Sequence, residues 1–144
     1  MKNFLDLADF QRDEIVDLLA FADRLRERPE PSALSGKVLG LLFFNPSLRT
    51  LASMRVAMAR LGGESIVVTP GAGCWNLETR SGVTMTGPAA EHIREAIPVL
   101  DSYCDALGVR TFAEGRDLAA DIAERTFTAI AALCTHPLIN LESS

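Results

Sequence analysis

Residues 45–50, Asn-Pro-Ser-Leu-Arg-Thr, bring a serine, an arginine and a threonine together where an apolar run ends and a helical pattern begins. The first N–H groups of a helix lack partners inside the helix, and the helix dipole makes that end attractive to anions. Ser47 stands at an N-cap position, Thr50 adds a second hydroxyl, and the forked guanidinium of Arg49 suits phosphate or carboxylate. Two interpretations fit this spacing: an anion-binding turn, or a capping serine beside a solvated surface arginine.

Two further candidate ligands, Arg110 and Glu142, each follow a predicted strand, and Trp75 lies in a glycine-rich loop. A second guanidinium converging with that of Arg49 suits a doubly charged phosphate, although a lone arginine at a strand end also fits an ordinary surface position. Glu142 suits either a substrate ammonium or an exposed position near a terminus. Trp75, the single tryptophan, suits a pocket or a subunit interface, or a plug on its own domain.

Composition and charge argue against several classes of protein. The 144 residues suit one domain with a real core, and 48% of them are hydrophobic. The formal net charge of −5, without a block of like charges, argues against nucleic-acid binding through a basic patch. No apolar run approaches the roughly 18 residues of a membrane span, and the N-terminus lacks a signal-peptide core. Three dispersed cysteines (Cys74, Cys104 and Cys134) argue against a disulfide framework or a zinc site, so we expect a cytoplasmic protein.

Common nucleotide-binding motifs do not occur in the sequence. Neither G-x-G-x-x-G nor G-x-x-x-x-G-K-[ST] is found, which removes support for dinucleotide and Walker-type sites. His92 and His136 have no serine or cysteine at a catalytic spacing, so we interpret them as capping or surface residues. We therefore expect anion chemistry that needs no cofactor.

Apolar runs and amphipathic segments alternate along the chain. This order predicts an α/β fold with a parallel sheet of about four strands and helices on both faces. In such sheets ligands bind beyond the carboxyl ends of the strands, which places all the candidate residues at one edge. Helices are predicted at residues 11–28, 48–61, 89–103 and 117–133, strands at 37–44, 65–70, 105–112 and 137–142, and a long loop at 71–88.

The segment Ser47-Leu48-Arg49-Thr50 resembles the Ser-x-Arg-Thr carbamoyl-phosphate signature of the aspartate and ornithine carbamoyltransferases. Further segments are similar to the N-acylornithine branch, the N-acetylornithine and N-succinylornithine carbamoyltransferases of bacterial arginine synthesis. The likeness covers essentially the whole chain, in order, and implies the carbamoyl-phosphate-binding domain of that fold. The segments are FFNPSLRT, TPGAGCWNLETRSGVTMTG, EHIREAIPVL, YCDALGVRTFAEG and PLINLES.

The resemblance assigns the phosphate of carbamoyl phosphate to the helix-start turn. Ser47, Leu48, Arg49 and Thr50 would bind it through hydroxyls, main-chain amides and the guanidinium, and Arg110 would reach both the phosphate and the carbamoyl group. The resemblance implies a mechanism that needs neither cofactor nor metal, in which the amine of the second substrate attacks the carbamoyl carbon. The charges of Arg49 and Arg110 would stabilise the tetrahedral intermediate and the departing phosphate, which makes them the implied catalytic residues.

The resemblance also concerns the acceptor and a neighbouring subunit. Trp75 is implied in the carbamoyl-phosphate site, lent across the subunit interface of a trimer, and Glu142 is implied in holding the acylornithine. Ala90 stands near the acyl group, where the acetyl-specific form tends to carry an acid. This smaller, uncharged residue favours a longer anionic acyl chain and leaves acetyl versus succinyl open. Leu51 replaces a second arginine often found in the family, which removes one positive charge beside the site.

Length is the largest departure from the family pattern. In the family a His-Pro-Cys-Gln segment and a substrate-side domain follow the place that matches Glu142-Ser143-Ser144. We therefore predict a single carbamoyl-phosphate-binding domain over residues 1–144, without the second, amino-acid-binding domain. The alternative is a non-catalytic anion-binding or oligomerisation module that keeps the fold, and a third is a phosphate-binding domain of unrelated origin.

Overall fold

The protein is built on one parallel sheet. The computed structural model describes residues 3–113, 115 and 117–143. The elements in chain order are α1 (Arg12–Glu27), β1 (Val38–Phe43), α2 (Leu48–Arg60), β2 (Glu64–Val68), β3 (Leu77–Glu78), β4 (Glu91–His92), α3 (Ile93–Ser102), β5 (Ala106–Arg110), α4 (Leu118–Ile122), α5 (Arg125–Ala131) and β6 (Leu138–Glu142). The main sheet has the strand order β2–β1–β5–β6 with every pair parallel, and β3 and β4 form a separate short parallel pair. The prediction of about four parallel strands is confirmed.

The apolar run of β1 supplies side chains to both faces of the sheet. Leu41 and Leu42 are adjacent and fully buried, and successive side chains of a strand point to opposite faces. Leu41 belongs to a cluster with Met58 of α2, whereas Leu42 belongs to a second cluster with Ile97 of α3 and Ile130 of α5. Full burial of one such side chain contributes about 1.5–3 kcal/mol. Helices therefore cover both faces, as the alternation of elements predicts.

Two predicted helices differ from those observed. The helix expected from residue 89 begins at Ile93, because His92 is extended and accepts the N–H of Arg94 on its ring as an N-cap. The helix expected at 117–133 is divided into α4 and α5, because Glu124 between them adopts the left-handed conformation with φ 44°. An L residue in that region ends the helical hydrogen-bond ladder.

The amphipathic helix expected near the N-terminus is present as α1 but contributes no buried residue. Leu18 and Leu19, on its apolar stripe, remain exposed. Its ends are formed locally: the Gln11 N–H donates to the Glu14 carboxylate at 2.7 Å in a capping box. No helix in the described part of the chain is long and apolar enough to cross a bilayer.

A buried carboxylate fixes the turn that leads into β6. Asp101, near the end of α3, is 2% exposed. It accepts hydrogen bonds from the Thr135 N–H at 2.9 Å and the Thr135 hydroxyl at 2.7 Å, and lies 3.2 Å from Nδ1 of His136. The His136 N–H also donates to it at 3.3 Å. Because Glu142 ends the strand that this turn begins, Asp101 helps to set the position of a candidate site residue.

The Asp101 carboxylate should make the free energy of unfolding depend on pH in the acid range. Burial by itself would raise the pKa of Asp101, but the hydrogen bonds from Thr135 and His136 outweigh it and hold that pKa below its usual value. A lowered folded-state pKa gives stability that is present above the unfolded pKa of about 4 and is lost as the pH falls through the folded value. We expect urea titrations from pH 7 down to pH 2 to show a decline in unfolding free energy below about pH 4. The decline should be shallower in Asp101→Asn, and parallel curves would contradict this role.

Candidate functional site

The helix-start turn has the geometry of an N-capped helix that begins at the carboxyl end of β1. Ser47 is extended, with φ −154° and ψ 115°, and its Oγ accepts the Thr50 N–H at 3.3 Å. The Ser47 hydroxyl in turn donates to Oγ1 of Thr50 at 3.0 Å. The capping part of the sequence interpretation is thereby confirmed, and both hydroxyls lie together at the start of α2.

The remaining groups of this turn are open to solvent. Leu48 and Arg49 are exposed, and their N–H groups fall in the first turn, where no intrahelical acceptor exists. The side chain of Arg49 makes no hydrogen bond or ion pair with any residue that the structure describes. Leu51, by contrast, packs against the core cluster beneath α2. The turn thus carries one uncompensated cation beside unpaired N–H groups, which is the arrangement that an anion requires.

Loss of the cap gives a prediction for Ser47→Ala. We expect the free energy of unfolding to fall by about 1 kcal/mol, since a capping serine satisfies a helix-end N–H that alanine leaves unpaired. Ser53→Ala in the same helix is the matched control, because Ser53 donates only to the carbonyl of Thr50 and alanine is the better helix former. Urea unfolding of both variants measures the difference. Equal stabilities would show that the cap contributes nothing.

Hydrogen bonds join the turn to the end of β5. The side-chain oxygen of Asn45 accepts the Phe112 N–H at 2.8 Å, and the Phe44 N–H donates to the Arg110 carbonyl at 3.0 Å. Since β1 and β5 are neighbours and Phe43 pairs with Arg110, the helix-start turn and Arg110 occupy the same edge of the sheet. This is the edge beyond the carboxyl ends where ligands bind in parallel α/β sheets.

Arg110 is held from two sides at that edge. Its guanidinium forms an ion pair with Glu142, and its carbon Cζ lies 4.5 Å from the ring centroid of Phe112. The side chain of Arg110 is 8% exposed and that of Glu142 is 52% exposed. Nε of Arg110 is buried without a hydrogen-bond partner among the described residues. The structure therefore brings Arg110 and Glu142 into direct contact, an arrangement that their separation in sequence did not indicate.

Trp75 lies in the long loop and is anchored within its own chain. Its indole N–H donates to the carboxylate of Glu91 at 3.0 Å, while the side chain as a whole is 60% exposed. The short pairing of β3 with β4 aligns Leu77 with Glu91 and closes the base of the loop. Ala90, also exposed, immediately precedes this pairing. Because the side chain is so exposed, packing of Trp75 as a plug on its own domain is disfavoured. The face of the indole ring is open to contact a ligand or another subunit.

A second part of the loop forms one wall of a cavity at the carboxyl edge. Arg80 makes two side-chain hydrogen bonds to Glu78, at 3.0 and 2.8 Å, which lower the pKa of Glu78 to about 2. Nε2 of His92 lies 3.0 Å from the Arg80 carbonyl. The cavity has a volume of about 730 Å³ and is lined by Thr79, Arg80, Ser81, Thr111, Phe112, Ser143 and residues around α5. The loop, the strand ends and α5 thus enclose space beside the candidate anion site.

The sequence interpretation missed Asn45 and Phe112 as site residues. In the sequence, Asn45 indicates only the break between strand and helix. Phe112 follows Arg110 by two residues, and this spacing places side chains on the same side of an extended chain. An aromatic residue two positions after a strand-end arginine was therefore the available signal for a cation–π contact.

The sequence as a whole matches a known family. The profile described as aspartate/ornithine carbamoyltransferase, carbamoyl-P binding domain, matches residues 2–144. The chain belongs to this carbamoyltransferase family. The resemblance inferred from the Ser-x-Arg-Thr turn and its flanking segments is thereby confirmed.

Individual members of the carbamoyltransferase family agree with this assignment. N-acetylornithine carbamoyltransferase of Xanthomonas campestris is 36% identical over 143 residues, which are 99% of this chain and 42% of the relative. N-succinylornithine carbamoyltransferase of Bacteroides thetaiotaomicron is 40% identical over 108 residues, 75% of this chain and 34% of the relative. The chain thus spans less than half the length of the curated carbamoyltransferases that it matches.

Solved carbamoyltransferase structures share the fold. Acetylornithine transcarbamylase complexed with acetylcitrulline superposes with a TM-score of 0.93 at 36% identity, covering 99% of this chain and 43% of that one. A variant of N-acetyl-L-ornithine transcarbamylase complexed with carbamyl phosphate and N-succinyl-L-norvaline gives a TM-score of 0.94 with the same identity and coverage. The predicted carbamoyltransferase fold is confirmed.

Proposed function

We propose that this chain supplies the carbamoyl-phosphate half of an enzyme that transfers a carbamoyl group to the free amine of an N-acylornithine, a step of arginine synthesis. The observation that carries the proposal is the uncompensated Arg49 beside the unpaired N–H groups of α2, at the edge where Arg110 also lies. The match to a carbamoyl-P binding domain and the likeness to N-acylornithine carbamoyltransferases support it.

The helix-start turn holds the phosphate in this proposal. The hydroxyls of Ser47 and Thr50, which contact each other in the structure, rotate and donate to the anion instead. The main-chain amides of Leu48 and Thr50 also donate to it. Arg49 adds a charge-assisted hydrogen bond. The groups of Ser47 and Thr50 that are now hydrogen-bonded to each other would be hydrogen-bonded to phosphate oxygens instead. The anion therefore binds without leaving a buried polar group unpaired.

Arg110 acts at the reacting carbon. The amine nitrogen attacks the carbamoyl carbon and the new C–N bond forms. The C–O bond to phosphate then breaks, and the departing phosphate takes the proton that the amine loses. Negative charge grows on the carbamoyl oxygen and on the leaving phosphate, where fixed guanidinium groups stabilise it most. Arg110 is nearly buried and stacked on Phe112, so its charge is already positioned before substrate arrives.

The acceptor side is proposed to involve Glu142, Ala90 and Trp75. Glu142 is half-exposed at the end of β6, where it is ion-paired with Arg110, and in this proposal it holds the acylornithine. Ala90 is exposed and small, which favours a longer anionic acyl group such as succinyl. One solved relative binds N-succinyl-L-norvaline in a variant form and another binds acetylcitrulline. Carbamoyl transfer to both N-acylornithines is the measurement that decides between them.

Assembly into a homo-oligomer, a trimer by resemblance, is part of the proposal. The edge strand β2 leaves Ile66 and Val67 exposed, α2 leaves Val56 exposed, and Trp75 projects from the loop. Large apolar side chains that are exposed in this way suit a protein interface. A cytoplasmic location is proposed as well, since all three cysteines are free thiols.

A carbamoyl-transfer assay separates the enzyme from a binding module. The full chain is incubated with carbamoyl phosphate and N-acetylornithine, N-succinylornithine or ornithine, and the corresponding citrulline is quantified. The proposal that residues 1–144 supply the carbamoyl-phosphate half predicts that they bind phosphate at this site and show little turnover by themselves. It also predicts turnover when the chain is joined to the remaining part of a family enzyme. Turnover with an N-acylornithine by the chain alone would exclude the non-catalytic alternative.

A further inference from the structure

Arg110 and Glu142 stand opposite each other at the carboxyl ends of neighbouring strands. The β5–β6 pairing aligns Arg110 with Glu142 after a register shift between Val109 and Arg110. Nη1 of Arg110 donates a hydrogen bond to Oε2 of Glu142, so the carboxylate occupies one of the positions at which this guanidinium could bind an anion. The register that makes this contact is built into the sheet and does not depend on a flexible loop.

The environment of Glu142 differs from that of Asp101, a carboxylate whose hydrogen bonds only stabilise the fold. Asp101 is buried and receives its hydrogen bonds from Thr135 and His136, all of them groups of the protein. Glu142, in contrast, has a side chain that is 52% exposed, and its partner Arg110 keeps a buried Nε without an acceptor among the described residues. An unpaired buried donor is costly, so the ion-paired arrangement leaves Arg110 incompletely satisfied.

We propose that Glu142 is a built-in competitor for the anion site of Arg110, which an incoming phosphate displaces. A phosphate dianion offers several oxygens and more charge than one carboxylate, so it satisfies more of the guanidinium. The released carboxylate then accepts hydrogen bonds from the amine-bearing substrate. The ion pair thereby couples the two binding events: the first substrate frees the residue that holds the second. This inference rests on the proposed function of the edge as a carbamoyl-phosphate site.

Competition and positioning predict opposite changes in phosphate affinity when Glu142 is replaced. If Glu142 only positions Arg110, its replacement weakens phosphate binding or leaves it unchanged. If it competes, Glu142→Gln strengthens binding, because glutamine keeps the size of the side chain without its charge. We expect about a tenfold gain in affinity, the effect of one partly exposed charge-assisted hydrogen bond.

A matched control is available at the opposite end of the sheet. Asp105, which immediately precedes β5, pairs with Lys37 at 2.7 Å and accepts the Val38 N–H at 2.9 Å. Asp105→Asn removes the same formal charge as Glu142→Gln, far from the carboxyl edge. It should leave phosphate affinity within about twofold of the wild-type value, since distant exposed charges are screened by salt.

The experiment is a calorimetric titration of the full chain and its variants with inorganic phosphate and with carbamoyl phosphate. Tighter binding to Glu142→Gln and wild-type-like binding to Asp105→Asn support the proposal. Unchanged or weaker binding to Glu142→Gln, with normal binding to the wild type, overturns it. Absence of binding to every form instead refutes the proposed function. Should Glu142→Gln fail to fold, Glu142→Asp, whose shorter side chain weakens the ion pair, must also bind phosphate more tightly.

Discussion

Arg49→Ala should weaken carbamoyl phosphate binding by about 30-fold, equivalent to about 2 kcal/mol. Arg49 is exposed at the start of α2, has no partner among the described residues, and adds its charge to the positive end of the helix dipole. Its removal deletes charge-assisted hydrogen bonds to the phosphate while leaving the core intact. Calorimetric titration of the variant against the wild type measures the loss.

The control for this prediction lies at the other end of the same helix. Arg60 is exposed at the end of α2, about 16 Å from Arg49 at the usual helical rise of 1.5 Å per residue. Arg60→Ala removes an equal charge and should change affinity by less than about twofold, because salt screens charges at that distance. Arg49→Lys should retain part of the affinity, since lysine keeps the charge without the fork. Equal affinities of wild type and Arg49→Ala would remove the turn from the site.

Asp101→Ala should lower the free energy of unfolding by about 3 kcal/mol. The substitution removes the buried acceptor that the N–H groups of Thr135 and His136 share, together with the hydrogen bond from the Thr135 hydroxyl. Hydrogen bonds to a charged group contribute about 1.5–3 kcal/mol each, and the exposed Thr135 and His136 regain part of that free energy from water. Urea unfolding at pH 7 measures the effect.

An exposed aspartate provides the comparison. Asp23 pairs with Arg26 at 3.0 Å on the surface of α1, and exposed pairs of this kind contribute at most about 1 kcal/mol. Asp23→Ala should therefore change stability by less than about 0.5 kcal/mol. A loss at Asp101 no larger than that at Asp23 would show that the turn into β6 holds without its carboxylate.

The pattern of apolar residues predicted most of the fold because burial produces that pattern directly. The run Val38–Phe43 is apolar because β1 is covered on both faces, and its length matches a strand. The split between α4 and α5 was not predictable, because a glutamate in a sequence does not indicate the left-handed conformation that Glu124 adopts. His92 was expected to cap or to lie at the surface, and its N-cap position is confirmed.

The candidate site was predicted only in part. Sequence spacing shows which side chains can lie at the same edge of the sheet, but it does not show which of them form hydrogen bonds or ion pairs with each other. Ser47 and Thr50 were recognisable, since a helix start needs a cap and local contacts follow from it. The pairing of Arg110 with Glu142 depends on which strands are neighbours and on a register shift between them. Neither property is local, so the ion pair became visible only with the sheet assembled.

The central claim is that the carboxyl edge of this sheet binds carbamoyl phosphate. Titration of the unmodified chain with carbamoyl phosphate, followed by the same titration with inorganic phosphate, tests it most directly. We predict saturable binding at one site per chain, tighter for carbamoyl phosphate because Arg110 adds contacts to the carbamoyl group. Equal affinity for the two anions would indicate a general phosphate site, and no binding of either would contradict the claim.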